Sequence, residues 1–161
     1  MEYILLKVIH IGALLMWIGP ALGAWCVLKV AERKTPVTNP VLAKVSRVFF
    51  WMVTLEHIAF LALLATGITM AKQYGWWGSD WLNQKLLIVM GVIVPLEIID
   101  IVLGNVIVAR ASKRLHQGAG ISVTERTCIH FYHGPFTILA LVLIPITVFL
   151  VMYLAVGKVP F

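Results

Sequence analysis

Charge is scarce in this chain. Asp, Glu, Lys and Arg make up only 12% of its 161 residues, about half the share that a water-soluble domain carries. That excludes an ordinary soluble globule. Acidic residues are the rarer sign, 7 against 13 basic ones. Apolar runs use most of the length and the loops between them are too short to fold alone, so residues 1–161 are expected to form a single membrane domain. There are two cysteines, Cys26 and Cys128. Their separation excludes a metal-type Cys pair, and both read as small packing residues. The N-terminus lacks the basic region of a cleavable leader, and its apolar run continues through Val27, so it reads as a permanent span.

Apolar residues fill the space. They account for 61% of the chain, and mean hydropathy is +0.96. Four runs stand out, at 3–30, 48–71, 82–108 and 127–156. Each exceeds the roughly 20 residues that cross a ~30 Å hydrocarbon layer at ~1.5 Å per residue. Backbone polar groups in lipid must be satisfied within their own segment, so each run is expected to be a helix. The expected fold is all-α, an integral membrane four-helix bundle.

The basic residues orient it. Lys29, Arg33, Lys34, Lys44 and Arg47 lie between the first two runs, and Arg110, Lys113, Arg114 and Arg126 between the last two. The other side has Lys7, Lys72, Lys85 and Lys158. The positive-inside rule therefore places both basic loops in the cytoplasm and both termini on the outer, periplasmic side of a bacterial-type inner membrane. These residues flank apolar segments instead of forming a stripe interleaved with aromatics, so the net charge of +6 points to no nucleic acid. Trp76, Trp77 and Trp81 fit an aromatic belt at the outer interface. Gly12, Gly19, Gly23, Gly67, Gly91 and Gly104 are expected to permit close helix approach. Pro20, Pro95 and Pro145 are expected to kink their helices.

Ionisable residues inside a span are costly and mark function, so they hold most of the functional information. They are Lys7 and His10 in the first span, Glu56 and His57 in the second, Lys85, Glu97 and Asp100 in the third, and His130 and His133 in the fourth. His116 falls in a loop and reads as solvated. Counting ~1.5 Å per residue puts Glu56, His57, Glu97, Asp100 and His133 in one slab from the bilayer centre toward the cytoplasm. His10 and Lys85 form an outer level. Glu97 and Asp100, His130 and His133, and Lys7 and His10 are each three apart, so each pair is expected to share a face.

Three readings of this pattern stand side by side. The first is haem b ligation by histidines on facing helices, one or two haems in all, with His57 and His133 the best-matched pair and His10 serving an outer haem. The second is a non-haem metal site for copper, iron or zinc, built from Glu-x-x-Asp and His-x-x-His. The third is structural: buried hydrogen bonds and ion pairs that tie the helices together.

Two stretches carry a family resemblance. The opening LLKVIHIGALLMWIGPALGAW, with Lys7, His10 and Trp17, resembles the first helix of HemJ-type protoporphyrinogen oxidases and of CopD-like copper-resistance membrane domains. WLNQKLLIV, with Trp81, Leu82, Lys85 and Leu86, resembles a motif of the same group. The resemblance implies a four-helix membrane bundle in which His10 is linked to haem b and Lys85 is its functional neighbour. The Leu-Pro-Arg-type segment that follows the first helix in those oxidases is replaced by GAWCVLKVAERK. The second histidine level is similar to that of four-helix di-haem cytochromes b.

Together these point to a cytochrome b-like oxidoreductase of electron transfer, linked to a quinone or a porphyrin. His57 and His133 would ligate one haem iron, His10 would ligate another or line the outer site, and His130 would be an alternate inner ligand. Lys85 and Arg47 would meet propionates, and Glu97 and Asp100 would handle protons. The alternative is a metal-handling protein or an accessory subunit of a larger membrane complex. Membrane lipid, other membrane subunits or further copies of the chain complete the expected partners.

Overall fold

A computed structural model describes residues 2–158. They form four long helical spans, Glu2–Lys34, Pro40–Gln73, Asp80–His116 and Val123–Gly157, with no strand among the described residues. Each span has 33 to 37 residues, roughly 50 Å of helix and well beyond a hydrocarbon layer. The helices run past the apolar runs, most of all at the basic end, where they continue for another four to eight residues. The second and fourth spans have side-chain caps at their starts. The Asn39 side chain accepts from the Val41 amide at 2.8 Å, with Pro40 in the first turn. Ser122 and Glu125 form a reciprocal capping box, the Ser-x-x-Glu signature of a helix start.

The first span is broken near its middle. Helix runs to Ile18 and resumes at Pro20, because a proline ring has no N–H and collides with the carbonyl four residues back. In the third and fourth spans the helix widens into π-helical segments at Val89–Ile93, Ile101–Val108 and Tyr132–Phe136. Pro95 follows the first of these and Pro135 lies within the last. The wider turn accommodates the missing donor without ending the helix. Around Pro145 the α-helix continues from Thr137 to Gly157, so the expected kinks are replaced by one break, two π segments beside prolines, and one uninterrupted run.

The first span packs along the second and the third along the fourth, while the second meets the third at the basic end. Tyr3 contacts Tyr74, with ring centroids 4.8 Å apart, and the Lys158 ammonium lies 4.7 Å from the Trp76 ring centroid. Both ends of the described chain thus gather at the 74–79 loop. Gly75 and Gly78 turn this loop with φ of 67° and 88°, a region that favours glycine. Trp76 and Trp81 pack edge to face there at 5.7 Å.

Outward positions are apolar, with Leu61, Leu87 and Phe149 at 63%, 74% and 79% exposure, as lipid-facing side chains should be. Of the glycines, Gly67 and Gly104 allow close approach by a neighbouring span, and Gly19 faces only the Leu15 carbonyl of its own span. Gly12, Gly23 and Gly91 face open space on the outer surface, which corrects the expectation that they mediate packing. Inside are two apolar clusters. One, at the basic end, contains Leu28, Leu42, Phe49, Val53, Val108, Tyr132 and Phe136. The other contains Trp17, Ala59, Phe60, Val89, Ile93 and Val148. Every span contributes to both.

Candidate functional site

Between the two clusters lies a polar layer. Trp17, only 1% exposed, points its Nε1–H at Glu97 Oε1 at 2.7 Å. His57 Nδ1 lies 3.0 Å from Glu97 Oε2. A carboxylate with one oxygen for each donor satisfies both rings, so the His57 Nδ1–H donates to Glu97. The other His57 nitrogen, Nε2, faces Asp100 Oδ2 at 4.0 Å, and the Tyr132 hydroxyl hydrogen-bonds Asp100. The chain Trp17–Glu97–His57···Asp100–Tyr132 therefore joins all four spans in one connected layer.

Gly104 makes the last contact possible. A Cβ there would stand 2.5 Å from the Tyr132 hydroxyl oxygen and 2.7 Å from its ring carbon, far inside van der Waals contact. Glu56, half-buried on the second span, lies within electrostatic reach of Asp100 and Glu97. Three carboxyl groups and one imidazole thus share an apolar-walled layer. Two buried polar atoms in it, His57 Nε2 and Asp100 Oδ1, have no hydrogen-bond partner.

The outer level is a separate construction. His10 Nδ1 lies 2.9 Å from the Thr66 hydroxyl oxygen. That hydroxyl also lies 2.7 Å from the Ala62 carbonyl and 3.1 Å from the Leu63 carbonyl. Two oxygens at such a distance need a hydrogen between them, and a carbonyl has none. The single hydroxyl hydrogen is therefore spent on the backbone, and His10 Nδ1–H must be the donor to Thr66. The lone pair of neutral His10 is thereby left on Nε2. Gly67 lets the ring come close to the second span, since a Cβ there would stand 3.1 Å from His10 Cε1. Lys85 of the third span lies within electrostatic reach of His10. Lys7 stands 5.9 Å from the Tyr3 ring centroid on its own helix and belongs to the interface.

The remaining expected residues separate. His133 is buried at 5% exposure among Phe49, Phe50 and Tyr132, with centroids at 5.4, 6.1 and 5.2 Å, and its Nδ1 has no partner. His130, three residues earlier, is exposed. The inward stripe there passes through Tyr132, His133 and Phe136, so the two histidines do not face the same environment. Arg47 is exposed at the basic end, ten residues or about 15 Å along the helix from His57. His116 is not merely solvated: its Nδ1–H donates to the Val37 carbonyl at 2.7 Å and fastens the end of the third span to the first loop. Among the described residues no three His, Cys, Asp or Glu side chains come together in a way that would hold a metal ion. Cys26 and Cys128 are free thiols.

Residue-by-residue reading of the sequence missed three participants. Trp17 appeared only as part of a resemblance, and Thr66 and Tyr132 looked like ordinary helix residues. The available signal for Tyr132 was the small residue Gly104 at the level of the acids.

The fold and this interior define a multi-pass membrane protein with a polar layer closed by apolar clusters above and below. No family model, curated protein or solved structure matches the chain, so function has to be argued from the site.

Proposed function

We propose that this chain is a membrane electron-transfer protein that takes haem b, with His10 as ligand on the outer side and His133 as ligand toward the basic end. The observation that carries the proposal is the His10–Thr66 pairing. A ligating histidine characteristically donates its second ring N–H to a nearby acceptor, which fixes the tautomer and leaves the other nitrogen for the metal. His10 meets that requirement through Thr66, and His133 meets a weaker one, as a buried imidazole whose Nδ1 has no partner. His57 meets the donor half of this requirement, its Nδ1–H donating to Glu97, but Asp100 Oδ2 stands 4.0 Å from its Nε2, in the space an iron would need, so it is left out of the ligand set in this reading. Its part is to share protons with Glu97 and Asp100.

Haem, when bound, supplies one-electron chemistry. Lys85 beside His10 offers a cation to a propionate, and the carboxyl–imidazole layer balances charge by holding or releasing a proton within the membrane. The electron partner is a quinone or a porphyrin. Positive-inside orientation puts the basic end in the cytoplasm and both termini outside an inner membrane of bacterial type.

The test is an optical spectrum of the purified full chain after haem titration. A Soret band with reducible α/β bands is expected, lost in part or whole in His10→Ala and kept in His57→Ala. Thr66→Val keeps the side-chain shape but removes the acceptor, and it should weaken haem binding by about 10- to 100-fold, as loss of a partner to a ligating histidine does. A colourless, metal-loaded protein would favour the metal-handling reading. Full haem occupancy in both His10→Ala and His133→Ala would remove the ligand assignment.

A further inference from the structure

At the basic end the second and third spans part to form an open cleft of about 340 Å³, within the size range of small-ligand sites. Arg47, Lys113 and His116 line its mouth, and Phe50, Trp51 and Thr54 continue it into the bundle. No Asp or Glu is among the residues lining it. Arg47 and Lys113 are exposed and form no ion pair among the described residues. The neighbouring Arg114 is paired with Glu125, so that acid is engaged elsewhere. His116 is tied to the Val37 carbonyl, which holds the loop beside the mouth in place.

Below the cations the character changes. Trp51 is 66% exposed on the lipid-facing side, and Phe50 forms the inner wall. Thr54 is seven residues beyond Arg47, about 10 Å deeper. Two unpaired cations at the level of the headgroups, above an apolar groove open to the lipid, are complementary to an anionic amphiphile. A zwitterionic lipid would bring a third cation to the mouth, and a free anion would leave the apolar groove unused.

We propose that this cleft binds one molecule of an acidic phospholipid. Its phosphate sits between Arg47 and Lys113, and one acyl chain runs along Phe50 and Trp51 toward Thr54. The site is distinct from the histidine levels and does not depend on haem.

Native mass spectrometry of the full chain tests this, with phosphatidylglycerol or phosphatidylcholine added to delipidated protein. One phosphatidylglycerol should be retained in preference to phosphatidylcholine. A basic residue near an anionic surface is worth about fivefold in binding, so Arg47→Gln with Lys113→Gln should cost about 30-fold. Lys7→Gln with Lys72→Gln removes two exposed cations at the opposite end of the bundle, Lys72 lying about 37 Å along the helix from Arg47, and should leave retention within about twofold because exposed charges beyond a Debye length are screened. Trp51→Ala should weaken phosphatidylglycerol and leave any binding of inorganic phosphate unchanged. An unaltered melting temperature of the Arg47/Lys113 variant in detergent shows that the fold is intact.

Equal retention of the two lipids would overturn the proposal, as would an equal loss in the two double variants. Displacement of the lipid by inorganic phosphate would assign the mouth to a free anion instead. Retention of a second copy of the chain without lipid would assign the face to self-association.

Discussion

Replacing Glu97 by Ala is expected to destabilise the protein by roughly 1–3 kcal/mol, while replacing it by Gln restores most of the loss. Glu97 is 3% exposed and is the shared acceptor for Trp17 and His57, at 2.7 and 3.0 Å. In a soluble core two orphaned donors would cost up to about 6 kcal/mol together. Interhelical hydrogen bonds in membranes average only ~0.6 kcal/mol and reach ~1.7, because separated helices in lipid find other partners. The membrane value governs here, which sets the lower range. Gln keeps a carbonyl for the Trp17 N–H and offers an amide N–H to His57 Nδ1, provided the imidazole adopts its other tautomer with Nε2–H toward Asp100. Thermal denaturation in detergent reads the stability, and the indole N–H resonance of Trp17 reads the bond itself. That resonance should move upfield in both variants, since a neutral amide is a weaker acceptor than a carboxylate. An Ala variant that melts with the wild type would show that the layer contributes nothing to stability.

Gly104→Ala is the second large effect. Its added methyl would land 2.5 Å from the Tyr132 hydroxyl oxygen, 2.7 Å from the ring carbon bearing it, and 2.9 Å from the next ring atom. Three close contacts from one planar ring leave no small rotation that clears them all. Tyr132 is 2% exposed and lies among Phe49, His133 and Phe136, so it cannot swing freely. The overpacking should cost about 1–3 kcal/mol, and the Tyr132 bond to Asp100 should be lost with it. Tyr132→Phe alone removes the bond without the collision and should be the milder change. In the Gly104→Ala background it should recover only part of the stability, because the ring carbon still collides. Full recovery would mean that the hydroxyl alone limits the fit. The checks are melting temperature and the yield of folded monomer in detergent for the three variants.

The architecture was largely legible in the sequence, because lipid leaves so few options. Four apolar runs of sufficient length had to be four helices, and the structure has four. The meeting of Glu97, Asp100 and His57 followed from counting ~1.5 Å per residue, as did the nearness of His10 to Lys85. What depth alone could not supply was rotation about each helix axis. His130 and His133 have the right spacing to share a face, yet one is exposed and the other buried. His57 and Glu56 were indistinguishable by position, and packing turned His57 inward. The hydrogen-bond partners were hidden for a different reason. Thr66 is one of several threonines that bond their own helix backbone, and nothing local marks the one that also receives a histidine. The helix ends lie beyond the apolar runs because hydropathy reports where lipid ends, whereas the capping residues Asn39 and Ser122 report where the helix begins.

The polar layer also bears on how the protein is made. Its members arrive in order: Trp17 with the first span, His57 with the second, Glu97 and Asp100 with the third, and Tyr132 only with the fourth. An Asp at mid-membrane costs the insertion machinery about 2.5–3.5 kcal/mol, and each surrounding Leu, Ile or Val returns about 0.3–0.6. The third span, at a hydropathy of 2.6, is apolar enough to enter alone with its two acids still incompletely partnered. A nascent chain halted after three spans would therefore rest in the bilayer with Asp100 unmet by Tyr132. Arrival of the fourth helix supplies the Tyr132 hydroxyl and closes the layer.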